Sequence, residues 1–262
     1  MIIKETTKEK FPFNDLDNIY VVADFDRTIT DYDSATCWSV LSDAYFASPD
    51  YVKEASLLYS KYRPLEISSE IALDIKNKAM EEWFLKHMDL LVKYKMGEEF
   101  FRKVFHNLDH MKLREGAKEF LTFLSENDIP IIIMSGGITN IIEKFLVLNN
   151  CYYDNIHIIS NRMVFDEDFI IDNLPSIIHS YNKNETFIPE WINKDLRKRK
   201  QVILLGDQAG DLHMIDKSIH DKVLSVGFLP YDLPYQLDYY CEKFDIVCDK
   251  EDDYHKVKKL LF

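Results

Sequence analysis

The sequence predicts an α/β fold, with a doubly wound parallel sheet at its core and a mostly helical cap inserted after the first strand. Two observations predict the sheet: short apolar runs of β type recur along the chain, and amphipathic helical patterns lie between them. A third observation predicts the cap, because the stretch from about residue 35 to residue 111 contains few β-type runs. A chain of 262 residues can bury one substantial core together with a smaller insert.

The predicted strands are short runs rich in isoleucine, valine and leucine. Runs that are almost continuously apolar suit strands that are buried on both faces, as in a parallel sheet covered by helices. Alternation of such strands with helices is typical of a Rossmann-like sheet. The six runs are residues 19–23, 130–134, 156–159, 202–205, 222–226 and 244–247.

Helical patterns connect these strands and fill the insert. In residues 113–124 and 138–148, apolar side chains recur every three or four positions and form one buried stripe. Residues 71–92 show a helical pattern within the insert. We therefore predict a Rossmann-like core of residues 1–34 and 112–262, and a helical cap of residues 35–111. The alternative is a long crossover packed against the sheet, although connections in such folds are usually compact.

Composition and charge restrict the classes of function. The net charge of −13 argues against a nucleic-acid partner, which needs a clustered basic patch. The four cysteines lack metal-type spacing, and the pair Cys241 and Cys248 is predicted to be two buried free thiols. No apolar stretch approaches the roughly 18 residues of a membrane span, and the N-terminal apolar run is too short for a signal peptide. We expect a soluble, cytoplasmic protein, monomeric or weakly homo-oligomeric, that binds a small molecule rather than a membrane.

Acidic, hydroxyl and glycine residues follow three of the predicted strands. Asp24 and Asp26 follow the first strand, Ser135 and Gly136 the second, and an acidic turn at residues 206–211 the fourth. Buried acid pairs need a cation, and Mg²⁺ prefers oxygen ligands. A serine and glycines before a helix are typical of an anion site, or of a simple helix cap. Because the carboxyl ends of parallel strands meet at one edge, the three groups together predict a shared site there.

At these residues the chain resembles the haloacid dehalogenase superfamily of phosphotransferases, and the resemblance covers nearly the whole chain. Within that superfamily it looks like the cytosolic pyrimidine 5′-nucleotidase family (cytosolic nucleotidase type III). The segments that carry this likeness are ADFD (23–26), SN (160–161), FDE (165–167), IH (178–179), NK (182–183), LLGD (204–207), GDL (210–212) and VGFL (226–229).

The resemblance implies a Mg²⁺-dependent 5′-nucleotidase that converts nucleoside 5′-monophosphates, pyrimidine ones in particular, to nucleoside and phosphate through a phospho-aspartate. It implies that Asp24 is the nucleophile and that Asp26 protonates the leaving oxygen and then activates water. Oxygen donors would hold Mg²⁺, namely Asp24, the backbone carbonyl of Asp26, Asp207 and, through water, Asp211. The implied groups for the phosphoryl oxygens are Ser135, the Gly136 N–H and Lys183, the last of which also counts as catalytic.

The same resemblance implies that the cap selects the substrate. Glu66 lies in a segment like the one whose glutamate reads the nucleobase edge in that family. His87 stands where the family has serine, and either contacts the substrate or packs among apolar side chains. Arg27 also departs from the family, which is apolar there, and either adds affinity for a doubly charged ester or points away.

Two other functions remain open at this point. The first is a small-metabolite phosphatase of the same superfamily that acts on phosphoserine or a sugar phosphate. The second is a non-catalytic module that binds a phosphorylated ligand on the same scaffold. A dead scaffold is expected to have lost at least one acid of the motifs. The sequence retains all four: Asp24, Asp26, Asp207 and Asp211.

Overall fold

A computed structural model of the protein describes residues 1–68, 70–165, 170–171 and 177–262. Two residues of the FDE segment, Asp166 and Glu167, lie outside these ranges. The main sheet has seven described strands in the order β1-β9-β8-β7-β2-β3-β4. All neighbouring pairs are parallel except β1 and β9, so the predicted α/β fold with a mostly parallel sheet is confirmed.

The strands of the main sheet are β1 (Ile2–Ile3), β2 (Ile19–Ala23), β3 (Ile131–Ile138), β4 (Ile156–Asn161), β7 (Gln201–Gly206), β8 (Lys222–Phe228) and β9 (Ile246–Cys248). A separate antiparallel pair consists of β5 (Met163–Val164) and β6 (Ile170–Ile171). The described α-helices are α1 (Ser39–Asp43), α2 (Pro49–Ile67), α3 (Leu73–Lys93), α4 (Glu98–Phe105), α5 (Ala117–Glu126), α6 (Thr139–Leu148), α7 (Glu190–Leu196), α8 (Leu237–Lys243) and α9 (Tyr254–Leu261). Among the described residues, no helix is both long enough and apolar enough to cross a bilayer.

Five of the six predicted strands differ from the structure at their ends, and two of these differences are explained by neighbouring residues. The second predicted strand, 130–134, continues in the structure to Ile138, so the serine and glycines that follow Met134 belong to the irregular end of β3. The helix α6 begins only at Thr139. The last predicted strand, 244–247, begins two residues late, because Phe244 ends α8 and its ring stacks on Tyr240.

The core lies on both faces of the sheet. Along β2, Val21 points into the larger apolar cluster, which α5, α6 and α9 cover. Its neighbour Val22 points into a second cluster, which α7 covers. Successive side chains of a strand point to opposite faces, so a continuously apolar strand is buried on both sides. This arrangement leaves the carboxyl edge of the sheet, where β2, β3 and β7 end, for the polar residues.

The helices α1 to α4 lie between β2 and β3 in the chain. Parts of this segment extend the larger core cluster, for example Tyr51 and Leu91. A separate small cluster of Tyr62, Ala79 and Met80 joins α2 to α3 and packs against Tyr181, which follows the third gap in the described residues. Through this cluster, the α2–α3 pair is in contact with the segment that leads to Lys183.

Candidate active site

The turn after β2 places Asp24 and Asp26 at the carboxyl edge of the sheet. The amide of Asp24 donates to the Leu205 carbonyl of β7 at 3.0 Å, which fixes the first acid between two strands. The chain then turns sharply, with Arg27 in the left-handed region at φ 64°. For a residue other than glycine this conformation costs roughly 1–2 kcal/mol. The Arg27 amide offsets part of this cost by donating to the Thr30 hydroxyl at 2.7 Å.

The carboxylate of Asp26 is held by the backbone of the following segment. The amide of Cys37 donates to both of its oxygens, at 3.0 and 3.2 Å. Burial raises the pKa of Asp26 to about 6, although the Cys37 amide acts in the opposite direction. A carboxyl group with this pKa can release and take up a proton near neutral pH, as an acid–base catalyst must.

Lys183 lies between two carboxylates at the centre of the site. Its Nζ is 2.6 Å from Asp24 Oδ1 and 2.6 Å from Asp211 Oδ1, and its side chain is only 4% exposed. Burial lowers the pKa of Lys183, but Asp211 and Asp24 outweigh burial and leave it raised. Burial in turn raises the pKa of Asp24, against the effect of Lys183. The lysine is therefore a fixed positive charge between the two acids.

Three buried carboxylates could hold a metal ion. Oxygens of Asp24, Asp207 and Asp211 lie within 4.8 Å of one another. Asp211 is oriented by the amides of Asp207 and Gln208, which donate to its Oδ2 at 3.1 and 2.9 Å. Burial is the main cause of the raised pKa of Asp207, and the negative charge of Asp211 is the second cause. Three acids with one lysine retain negative charge, and their all-oxygen donor set fits Mg²⁺.

The irregular end of β3 forms another side of the site. Ser135 is 1% exposed, and its Oγ accepts the amide of Gly137 at 3.0 Å. The Gly136 carbonyl accepts the Trp38 indole N–H at 3.1 Å. A Cβ on Gly136 would lie 3.2 Å from the backbone of His179, so the close approach of these two segments favours glycine.

Asn161 connects the end of β3 to the segment that begins at residue 177. The sequence alone did not predict a role for it. Its side-chain amide donates to the carbonyls of Gly136, Gly137 and Ile178, while its Oδ1 accepts the amide of Ile178. The residue is completely buried. The available signal was the SN motif at 160–161, which marks the position but not the contacts.

One cavity of about 460 Å³ connects the acids to the helices α2 and α3. The sequence-predicted site residues in its lining are Asp24, Asp26, Glu66, His87, Ser135, Gly136, Lys183 and Asp207. Asp211 lies behind this lining and reaches the site through Lys183. The structure thus brings the predicted residues from six separate segments into one place.

The carboxylate of Glu66 is already engaged on both oxygens. Its Oε2 accepts Arg63 Nη1 at 2.6 Å and its Oε1 accepts the Ser180 hydroxyl at 2.6 Å. Its backbone carbonyl accepts the Tyr181 hydroxyl and, at 3.0 Å, Lys76 Nζ. Burial raises the pKa of Glu66, but Arg63 and Ser180 more than compensate, so the pKa is lowered and the group is ionised. Sequence reasoning identified Glu66 but missed Arg63, Lys76 and Ser180.

His87 both lines the cavity and packs among aromatic rings. Its ring centroid lies 4.7 Å from that of Trp38 and 5.2 Å from that of Trp83. Its Nε2 is 3.0 Å from the Tyr51 hydroxyl. Burial lowers the pKa of His87 to about 4, so its ring is neutral at physiological pH.

Arg27 faces the site rather than away from it. It lines the cavity, and its guanidinium carbon lies 5.4 Å from the ring centroid of Tyr32. Its charge lowers the pKa of Asp26 and of Asp207, against the larger effect of burial. The position therefore adds positive charge to the acidic end of the cavity.

Comparison with known families gives one match over most of the chain. The model of the family described as pyrimidine 5′-nucleotidase (UMPH-1) matches residues 27–262. Since the match begins at Arg27, Asp24 and Asp26 lie just before it. The likeness to this family that the sequence motifs indicated is confirmed.

Individual relatives extend over nearly the same length. The human 7-methylguanosine phosphate-specific 5′-nucleotidase is 33% identical over 253 residues, which is 94% of this chain and 84% of that protein. A Caenorhabditis elegans protein provisionally named cytosolic 5′-nucleotidase 3 is 32% identical over 248 residues, covering 87% of this chain and 64% of its own. The crystal structure of cytosolic 5′-nucleotidase IIIB bound to cytidine has a TM-score of 0.81 at 24% identity, covering 97% of this chain and 88% of its own. At that identity the structure shows a shared fold.

Proposed function

Because the chain belongs to the pyrimidine 5′-nucleotidase (UMPH-1) family of phosphoric monoester hydrolases, we propose that it hydrolyses nucleoside 5′-monophosphates by nucleophilic attack of Asp24 on phosphorus. One observation carries the proposal. A single cavity is lined both by Asp24 and Lys183, which suit a phosphate, and by Glu66 and aromatic side chains, which suit a base.

The residues of the site account for each step of the reaction. Ser135 Oγ, the Gly136 amide and Lys183 Nζ bind the phosphoryl oxygens and offset their charge. A carboxylate oxygen of Asp24 forms a bond to phosphorus while the bond to the ester oxygen breaks, and Asp26 gives its proton to that oxygen. Asp26 then takes a proton from the water that attacks the phospho-aspartate, which releases phosphate and restores Asp24.

The metal part of the proposal rests on the buried acids. Asp24, the backbone carbonyl of Asp26 and Asp207 would hold Mg²⁺, with Asp211 oriented toward a ligand water. When bound, Mg²⁺ reduces the repulsion between the Asp24 carboxylate and the substrate dianion. The protein residues supply the remaining charge, since Lys183 already contacts Asp24 and Asp211 at 2.6 Å.

Mg²⁺ should raise the melting temperature of the metal-free protein, because it binds the native site and offsets repulsion between buried acids. At a concentration one hundred times the dissociation constant the expected stabilisation is about 2.7 kcal/mol. Differential scanning fluorimetry with and without Mg²⁺ measures the shift, which Asp207→Asn should largely remove. Asp195→Asn, on the exposed side of α7, is the matched control and should keep the full shift. An unchanged shift in Asp207→Asn would exclude this residue as a ligand.

The helices of residues 35–111 are proposed to act as the specificity cap over a core of residues 1–34 and 112–262. We propose pyrimidine nucleotides as substrates, in line with the family description. A second candidate is 7-methylguanosine monophosphate, which the names of the human and other vertebrate relatives favour. A cytoplasmic location is part of the proposal, in agreement with the name of the Caenorhabditis elegans relative.

Glu66→Ala should reduce kcat/KM for nucleotides by about tenfold to a hundredfold, because it removes a charged hydrogen-bonding group worth ~1.5–3 kcal/mol. Hydrolysis of p-nitrophenyl phosphate, which has no base, should change by less than about threefold. Steady-state kinetics with CMP, UMP and p-nitrophenyl phosphate measures both effects. Glu54→Ala, at a half-buried position of the same helix that pairs with Lys93 and does not line the cavity, should leave both unchanged. Equal losses on all substrates would exclude Glu66 from base recognition.

A further inference from the structure

We propose that Arg63 makes this cavity selective for nucleotides with an uncharged base and against those with a cationic base, such as 7-methylguanine. The inference rests on the proposed nucleotidase function and specifies the class of substrate within it. Its basis is the pairing of Arg63 with Glu66, both of which line the same cavity as Asp24 and Lys183.

The first observation is that Glu66 has no free carboxylate oxygen in the resting site. Arg63 Nη1 takes one oxygen and the Ser180 hydroxyl takes the other, each at 2.6 Å. The two charged side chains are 13% and 14% exposed. Since both are largely shielded from water, the guanidinium cancels most of the negative charge that Glu66 would otherwise present to a ligand.

The second observation concerns the other charges of this region. Lys76 Nζ lies 3.0 Å from the Glu66 carbonyl and adds a second cation on the same side. Asp43 is the other carboxylate that the cap segment contributes to the cavity lining, and it is exposed to water, where ion pairs contribute little. Asp207 also acts electrostatically on Arg63, but it belongs to the proposed metal site, so the described part of the cap segment offers a cation in this cavity no unpaired carboxylate except the exposed Asp43.

Methylation of guanine at N7 places a positive charge on the ring. Aromatic faces bind such a ring well, and Trp38 and Trp83 line this cavity. An unpaired carboxylate would add to that attraction, but here Glu66 is paired and Arg63 repels a cation. The aromatic walls can also stack on a neutral base.

Arg63 can also contact a base directly. A guanidinium carries five N–H donors and no acceptor, and the bond to Glu66 involves only its Nη1 group. Uracil, cytosine and guanine all present carbonyl oxygens that accept from such donors, and 7-methylguanine keeps its carbonyl, so the discrimination rests on the charge of the ring. Arg63 is thus suited to read a base carbonyl while Glu66 holds the guanidinium in position.

The test compares kcat/KM for CMP, GMP, 7-methylguanosine monophosphate and p-nitrophenyl phosphate at slightly acidic pH, where the methylated ring keeps its charge. The wild-type protein should prefer CMP to the methylated nucleotide. Arg63→Gln should shift that ratio toward the methylated nucleotide by roughly tenfold, because one like charge is removed from the site. Arg63→Lys should keep the wild-type preference. Lys53→Gln removes the same charge from an exposed position on α2 and should change nothing.

Three results would overturn the inference: a wild-type preference for the methylated nucleotide, an unchanged ratio in Arg63→Gln, or an equal loss on all four substrates, which would place Arg63 at the phosphate. Hydrolysis of p-nitrophenyl phosphate without any nucleotide turnover would instead contradict the proposed function. Calorimetric binding of cytidine and 7-methylguanosine to the same variants then tests Arg63 independently. The melting temperature of each variant shows that the protein is folded.

Discussion

Asp24→Asn should abolish Mg²⁺-dependent phosphate release from nucleoside monophosphates while the protein still folds. The amide has nearly the shape of the carboxylate but cannot form the phospho-aspartate, so a loss of at least about 10⁴-fold in kcat is expected. Folding should survive because Asp24 is buried and burial raises its pKa, which means that its charge is unfavourable in the native state. The Asp24 amide bond to the Leu205 carbonyl is also unaffected.

Phosphate release from CMP and UMP, together with circular dichroism, measures this outcome. Asp33→Asn is the matched control: Asp33 is an exposed acid that follows the same turn and pairs with Lys112. It should retain wild-type kcat and KM. Full activity in Asp24→Asn would exclude Asp24 as the nucleophile and would leave the family assignment intact, since the family match begins at Arg27.

Lys183→Met should cause the second large loss, in both activity and stability. Lys183 contacts Asp24 and Asp211 at 2.6 Å in a buried position. Removal of one partner from a buried ion pair typically costs 3–5 kcal/mol, so we expect a destabilisation of about this size in the metal-free protein. Without the ammonium the phosphoryl oxygens also lose a charged donor, and kcat should fall by roughly 10²–10³-fold.

The pH dependence of unfolding separates the electrostatic effect from a packing defect. Without Lys183, the folded-state pKa of Asp24, which burial already raises, should rise further. A carboxyl group whose folded pKa lies above its unfolded value of about 3.9 binds more protons in the native state, so stability decreases as pH rises from that value through the folded pKa. Denaturant unfolding across this range should show a steeper decline for Lys183→Met than for wild type. Lys198→Met, at an exposed pair, should follow wild type, and a loss independent of pH would indicate packing alone.

The sheet was predictable because burial on both faces leaves a strong record in the sequence. The run at 19–23 coincides with β2, and acidic residues follow both β2 and β7. The backbone conformation after Met134 was harder to predict from the residue types. The serine and glycines after Met134 resemble a helix start, yet they continue β3, because a strand can remain extended through an irregular pairing.

Contacts between distant segments left no comparable record. Glu66 and Ser180 are 114 residues apart, and Cys37 holds Asp26 through a backbone amide whose donor capacity does not depend on the side chain. The pairing of Arg63 with Glu66 follows from a spacing of three residues on α2, which also fits an ordinary surface ion pair. Only their burial in the cavity distinguishes them from the many exposed pairs of this chain.

The short segment of residues 180–183 contacts both Glu66 and Asp24. Ser180 binds Glu66 at the cap, and three residues later Lys183 binds Asp24 at the sheet edge. The backbone between Ser180 and Lys183 sets the distance between these two contacts. This distance determines how long a ligand must be to reach both. In the proposed function, a nucleotide that places its phosphate at Lys183 extends its base toward Glu66, whereas a shorter phosphate ester contacts Lys183 alone. The length of a substrate would thus contribute to its selection in addition to the charge of its base.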